Sequence, residues 1–213
     1  MKPKIVFFDC DGVLISSSTW TKILDLVNFP KDLEQKLWTD YYSGKLDFKS
    51  WIDKQTVYFK KYFNKKLYTE EVLKKIEVNP EAIKIVAFLK KQNIPIAIIS
   101  SGEYDYVEVT AKMLGISIFR VNTFYRYDES GKFTKMDFLH DDPISKVVQV
   151  KEICKEFKCE PEETFFVGDS NNDLKAFRLT KHGILYKTRD PDCQKFAWKT
   201  IDDLNEIKHL LTV

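Results

Sequence analysis

Three short apolar runs, each broken off at a polar, glycine-bearing tip, constrain this chain more than any other feature. The stretch from Lys4 to Cys10 is apolar until it meets Asp9, and Asp11 and Gly12 follow at once. A run this short reads as a buried strand whose carboxyl end opens into a turn. Ile94 to Ile99 ends likewise in Ser100-Ser101-Gly102, and Thr164 to Val167 ends in Gly168-Asp169. Between these runs the spacing predicts helices over Glu81 to Lys91 behind Pro80, Tyr104 to Leu114 stopped by Gly115, and Pro143 to Phe157. Strands alternating with helices predict an α/β fold with a parallel, Rossmann-like sheet. In such sheets ligands collect at the carboxyl ends of the strands, where all three tips fall.

The segment 16–78 has a different character. It is rich in Lys, Trp, Tyr and Phe, and Phe29-Pro30, Ser43-Gly44 and Asn64-Lys65 cut it into helix-length pieces. The expected organisation is therefore a core of residues 1–15 and 79–213 with a small helical cap, 16–78, inserted after the first strand. A chain of 213 residues has room for both. Most aromatics of the insert read as internal filling. Asn122 to Phe138 places two β-rich arms around Asp128-Glu129-Ser130-Gly131, a hairpin pattern. An edge hairpin on the core is the expectation, with a subunit contact as the alternative.

Composition narrows the function classes. Charged residues are 31% of the chain and nearly cancel, to +2, so no overall field favours nucleic acid or an anionic membrane. No stretch approaches the ~20 apolar residues of a membrane span. The opening MKPKIVFF meets Asp9 before the apolar region of a signal peptide would be complete. Cys10, Cys154, Cys159 and Cys193 form no CxxC pair. These features predict a cytoplasmic protein, monomer or homodimer, with neither nucleic acid nor membrane as a partner.

The tips carry the chemistry. Asp9 and Asp11 repel each other if buried, unless a divalent cation sits between them; the carboxyl that lacks the metal then has its pKa raised. That divides the pair into a nucleophile and a proton carrier. Ser100, Ser101 and Gly102 supply a hydroxyl and backbone N–H groups suited to phosphate oxygens. Gly168-Asp169-Ser170-Asn171-Asn172-Asp173 adds carboxylates that suit Mg²⁺. Each pattern alone also occurs as an ordinary turn or helix cap. His140, Asp141 and Asp142 are assigned no chemistry, and Asp142 reads as the N-cap ahead of Pro143.

Taken in order, DCDGV, IISSG, a lysine on the helix from Pro143, and GDSNND resemble the four motifs of the haloacid dehalogenase (HAD) superfamily of phosphatases. The resemblance extends over nearly the whole chain and is nearest to the phosphoserine phosphatase-like branch with its helical cap. It implies that Asp9 attacks phosphorus to form an aspartyl-phosphate and that Asp11 serves as general acid and base. It implies a Mg²⁺ site of Asp9, Asp169, Asp173 and the Asp11 carbonyl. Phosphate would be held by Gly12, Ser100, Ser101, Gly102 and Lys146, with Lys151 as the alternative lysine. Asp11 and GDSNND argue against a dehalogenase, while a phosphotransferase or mutase, a protein phosphatase, and a non-catalytic relative remain as rivals. In the insert, Ser18 and Gln55 stand where that branch carries a glutamate and an arginine for an amino acid. With Trp20, Tyr42, Phe48 and Trp51 nearby, the expected substrate is a small phosphomonoester other than phosphoserine, with a less charged, sugar-like or aromatic leaving group.

Overall fold

The computed structural model describes residues 2–188 and 191–211. Strand β1 (Val6–Phe8) lies at the middle of a seven-stranded sheet among the described residues, in the order β4-β3-β2-β1-β5-β6-β7. Its neighbours are β2 (Ile96–Glu103) and β5 (Phe165–Gly168), both parallel to it, with Phe8 opposite Ile98 on one side and Val167 on the other. Beyond β2 come β3 (Ile118–Tyr127) and the antiparallel β4 (Phe133–Phe138); beyond β5 come β6 (Gly183–Tyr186) and β7 (Lys199–Ile201). The chain leaves β1 toward β2 and later returns to its other side with β5. The three polar tips are thus neighbours at the reversal point of the strand order.

Both faces of the sheet are buried, which is why its central strands are apolar at every position rather than at alternate ones. Val6, Phe8 and Ile98 share one core with Ile85 of α5 (Pro80–Lys91) and Val107 of α6 (Tyr104–Leu114). Ile5, Phe7, Ala97 and Phe166 share another with Ile153 of α7 (Asp142–Phe157) and Phe177 of α8 (Leu174–Thr180). Short helices α9 (Pro191–Phe196) and α10 (Ile207–Leu210) close the carboxyl-terminal part. Among the described residues no helix is long and apolar enough to cross a membrane.

Between β1 and α5 the chain forms α1 (Thr19–Leu26), α2 (Lys31–Tyr42), α3 (Phe48–Tyr62) and α4 (Lys65–Glu71). Ser18, Asp47 and Asn64 each accept a backbone N–H at a helix start, so of the three breaks Asn64-Lys65 doubles as a side-chain cap, whereas Pro30 opens α2 without one. These helices share an aromatic core of Phe29, Phe59, Phe63 and Tyr68 that Tyr125 and Met136 of the β3–β4 pair complete. The predicted hairpin is therefore an edge pair of the sheet that also serves the inserted helices.

Candidate active site

Asp9 closes β1 with its N–H on the carbonyl of Val167, which locks it to the neighbouring strand at 2.9 Å. The residue is 5% exposed. One carboxylate oxygen accepts from the N–H of Cys10 at 2.8 Å and the other faces Lys146 Nζ at 3.0 Å. The chain then turns sharply: Gly12 has φ +73°, and a Cβ there would come within 2.0 Å of Asp169 Oδ2. Only glycine allows both the turn and that approach.

Asp11 diverges from Asp9. Its Oδ1 accepts from the N–H of Thr19 at 3.1 Å, where α1 begins, and its Oδ2 from the hydroxyl of Tyr106 at 3.3 Å. A Cβ on Gly102 would lie 1.6 Å from that hydroxyl, so glycine makes room for Tyr106 to reach the acid. Burial raises the Asp11 carboxyl, opposed by the Thr19 and Tyr106 bonds. Burial also raises Asp9, against the pull of Lys146 and with further push from Asp173 and Asp169.

Lys146, fully buried on α7, points its ammonium at Asp173 Oδ1 (2.6 Å), Asn172 Oδ1 (2.9 Å) and Asp9. Burial alone would lower its pKa; the charges of Asp173 and Asp9 instead hold it protonated, far above the usual lysine range. It stands behind Asp9 and does not border the open cavity. Lys151, the alternative, lies on the far side of α7 with the cysteines Cys154 and Cys159.

The GDSNND segment forms a tight 3-10 turn, Asn171–Asp173. Asp173 Oδ2 accepts the N–H groups of Asp169 and Ser170 at 3.0 and 3.1 Å, which fixes the loop around it. Asp9, Asp169 and Asp173 each offer an oxygen, all within 4.8 Å of one another. The Asp169 carboxyl is pushed up to about 7 by burial first and by Asp173 second. Three hard oxygen donors whose mutual repulsion is only partly cancelled by Lys146 fit a divalent cation. The Asp11 carboxylate stands outside this group, so a part for Asp11 in the site would fall to its main-chain carbonyl.

At the second tip the strand runs further than the sequence suggests. Ser100, Ser101 and Gly102 belong to β2, with an irregular register against β3 between Ser100 and Glu103. That bulge turns the N–H of Gly102 onto Ser100 Oγ at 3.0 Å, so this donor is already engaged. Ser101 Oγ lies 3.4 Å from Ser145 Oγ.

The tips open into a cavity of about 570 Å³ whose other wall is the inserted helices. Ser18, Trp20, Tyr42, Phe48 and Gln55 all line it. Gln55, however, is fully buried and donates through Nε2 to Glu34 at 3.4 Å, so it is a support rather than a free neutral contact. Sequence reasoning passed over Glu34, Glu103 and Tyr106 and assigned Asp142 no chemistry, and all four also line the cavity. Asp142 corrects its expectation: Asp141 is the N-cap of α7, and Asp142, one residue inside, sits among Ser101, Asn172 and Lys146 with its carboxyl raised by burial. Glu34 had a signal, since Glu34, Trp38 and Tyr42 repeat at the helical spacing of one face.

The haloacid dehalogenase-like hydrolase family model matches residues 3–179. The chain belongs to that family. Among curated haloacid dehalogenase-like relatives, phosphoserine phosphatase of Saccharomyces cerevisiae is 25% identical over 91% of this chain, which spans only 62% of the yeast protein's length. The 2-hydroxy-3-keto-5-methylthiopentenyl-1-phosphate phosphatase of Microcystis aeruginosa is 26% identical, over 82% of this chain and 80% of its own. A solved structure of a phospho-aspartyl intermediate analogue of phosphoserine phosphatase superposes with a TM-score of 0.82 at 23% identity, covering 99% of this chain and 100% of that one. That last likeness is one of fold.

Proposed function

We propose that the protein is a Mg²⁺-dependent phosphatase that hydrolyses a small phosphomonoester through an aspartyl-phosphate on Asp9. The observation that carries this reading is the unequal surroundings of two adjacent acids. Asp9 has Lys146 at 3.0 Å and belongs to the three-carboxylate cluster, so its ionised form, which burial opposes, is favoured by Lys146 and by the cation that the cluster would hold. Asp11 is held only by neutral donors, and burial favours its protonated form.

In the first step an Asp9 carboxylate oxygen bonds to phosphorus as the ester P–O bond breaks, and Asp11 gives its proton to the leaving oxygen. In the second, Asp11 takes a proton from water, the water oxygen bonds to phosphorus, and the acyl-phosphate P–O bond breaks to free phosphate and Asp9. Mg²⁺ held by Asp9, Asp169 and Asp173 would offset the charge that gathers on the transferred oxygens. Ser100, 2% exposed at the cavity floor, is placed to donate to the phosphate, while Lys146 stabilises Asp9 from behind. Residues 16–78 act as the cap that covers the leaving group.

The leaving group carries no carboxylate. Among the described residues, no Lys, Arg or His lines the cavity to pair with one, whereas Glu34 would repel it. Phosphate release from a panel of phosphomonoesters, with and without Mg²⁺, tests the reading. Asp9→Asn should fold and show no turnover; full activity in that variant would falsify the mechanism.

A further inference from the structure

We propose that the helical wall of the cavity is a subsite for an ammonium group, and that the substrate is the phosphate ester of an amino alcohol with no carboxylate. This rests on the phosphomonoesterase reading above and adds the class of leaving group.

The argument begins with Glu34, half-buried on α2. A carboxylate offers about four acceptor positions. Here it receives two long bonds, from Trp20 Nε1 and Gln55 Nε2, both at 3.4 Å, and forms no ion pair among the described residues. A carboxylate taken from water without a charged partner is costly, and burial accordingly raises its pKa. Such a group is maintained most cheaply when a cation arrives with the ligand.

The neighbours suit that cation. Glu34, Trp38 and Tyr42 form one stripe of α2 facing the cavity, and Trp51 faces it from α3 with Trp20 from α1. Indole and phenol faces attract ammonium groups through the ring quadrupole, tryptophan most strongly. Beside Glu34 the Oε1 of fully buried Gln55 has no hydrogen-bond partner among the described residues. Because its amide already points at Glu34, this oxygen is an acceptor awaiting a donor, which a primary ammonium supplies. No basic residue among those described borders the cavity to compete for Glu34. A sugar-like or aromatic leaving group would use the rings but leave the carboxylate uncompensated.

The test compares 2-aminoethyl phosphate with 2-hydroxyethyl phosphate, which matches it in length and phosphate and lacks only the charge, at constant Mg²⁺. The expected kcat/KM favours the ammonium ester by about tenfold or more, the scale of one charge-assisted contact. Phosphoserine should fall below 2-aminoethyl phosphate, and Glu34→Gln should bring the ratio of the first two esters close to one. A binding measurement separates the subsite from the chemistry: Asp9→Asn is titrated with both esters, following fluorescence of the cavity tryptophans. Hydrolysis of both esters without preference overturns the subsite and leaves the phosphatase reading standing. Hydrolysis of neither, with tighter binding of the ammonium ester to Asp9→Asn, supports the subsite and overturns the phosphatase reading. Equal binding of the two esters overturns the subsite whatever the turnover.

Discussion

The strand tips and the helical wall face each other across one cavity, yet they are built on opposite terms. At the tips the central charges are in large part answered from within the protein: Lys146 pairs with Asp9 and Asp173, and Asp173 takes two backbone N–H groups, leaving Asp169 for a cation to offset. Across the cavity Glu34 has two long bonds, and among the described residues Trp51 Nε1 and Gln55 Oε1 have no partner. A preorganised charge arrangement serves a step common to every phosphate ester. An incompletely satisfied wall serves discrimination, because a ligand that completes it gains what others lose.

This contrast can be broken from either side. Asp11→Asn should lower kcat by about 10²–10⁴-fold, the usual worth of a positioned acid and base, with KM much less affected; a kcat near wild type in a phosphate-release assay would remove Asp11 from the chemistry. Lys146→Met leaves two buried carboxylates without their cation, and should cost about 3–5 kcal/mol of stability in a denaturant titration of the metal-free protein. Added Mg²⁺ should recover part of that loss. A stability loss under 1 kcal/mol would mean that the tips are not matched by Lys146.

Glu103 offers a sharper probe of the boundary between the two regions. It is 4% exposed, accepts from the hydroxyl of Tyr68 in the insert and from the N–H of Asp105, and burial pushes its pKa up to about 7. Unfolded, it titrates near 4.5. Between those values the native state holds a proton that the unfolded chain has released, so stability falls as pH rises from about 4.5 to 7. Replacement by Gln should flatten that part of the stability profile, a difference on the order of 2 kcal/mol at neutral pH. An unchanged slope would show that Glu103 is not the titrating group. The smallest effect belongs to Tyr106→Phe, which removes one neutral donor at 3.3 Å from Asp11. A loss of about two- to tenfold in kcat is expected, with the limb of the pH–rate profile that reports Asp11 displaced to higher pH because ionised Asp11 loses a donor; an unmoved profile would make Tyr106 structural only.

The framework was legible in the sequence because it rests on local pattern. Apolar runs buried on both faces have to be strands, and glycine-bearing tips after β1, β2 and β5 had to sit at their carboxyl ends. Asp9, Asp11 and Asp169 followed from that placement. What escaped notice depends on contacts between distant elements. Tyr106 meets Asp11 only because α6, packed on β2 and β3, brings it across to the tip that follows β1, and nothing in its neighbourhood along the chain marks it. Gln55 looked like a neutral contact until Glu34, 21 residues earlier, came to lie against its amide. Asp142 was misread by one position at a helix start, a shift that turns a side chain from the cap toward the cavity.

The β3–β4 pair has a last consequence. It belongs to the sheet by hydrogen bonds and to the inserted helices by Tyr125, Phe133 and Met136, and near its turn the N–H of Lys65 binds the carbonyl of Gly131 at 2.8 Å. A lid joined to its base only through two chain hinges can swing as a rigid body. One stitched along a margin cannot, because lifting it there would wet Phe59, Phe63 and Phe133 together. For the proposed phosphatase this leaves the passage of ester and phosphate to a margin of the cavity other than the one that the β3–β4 pair closes.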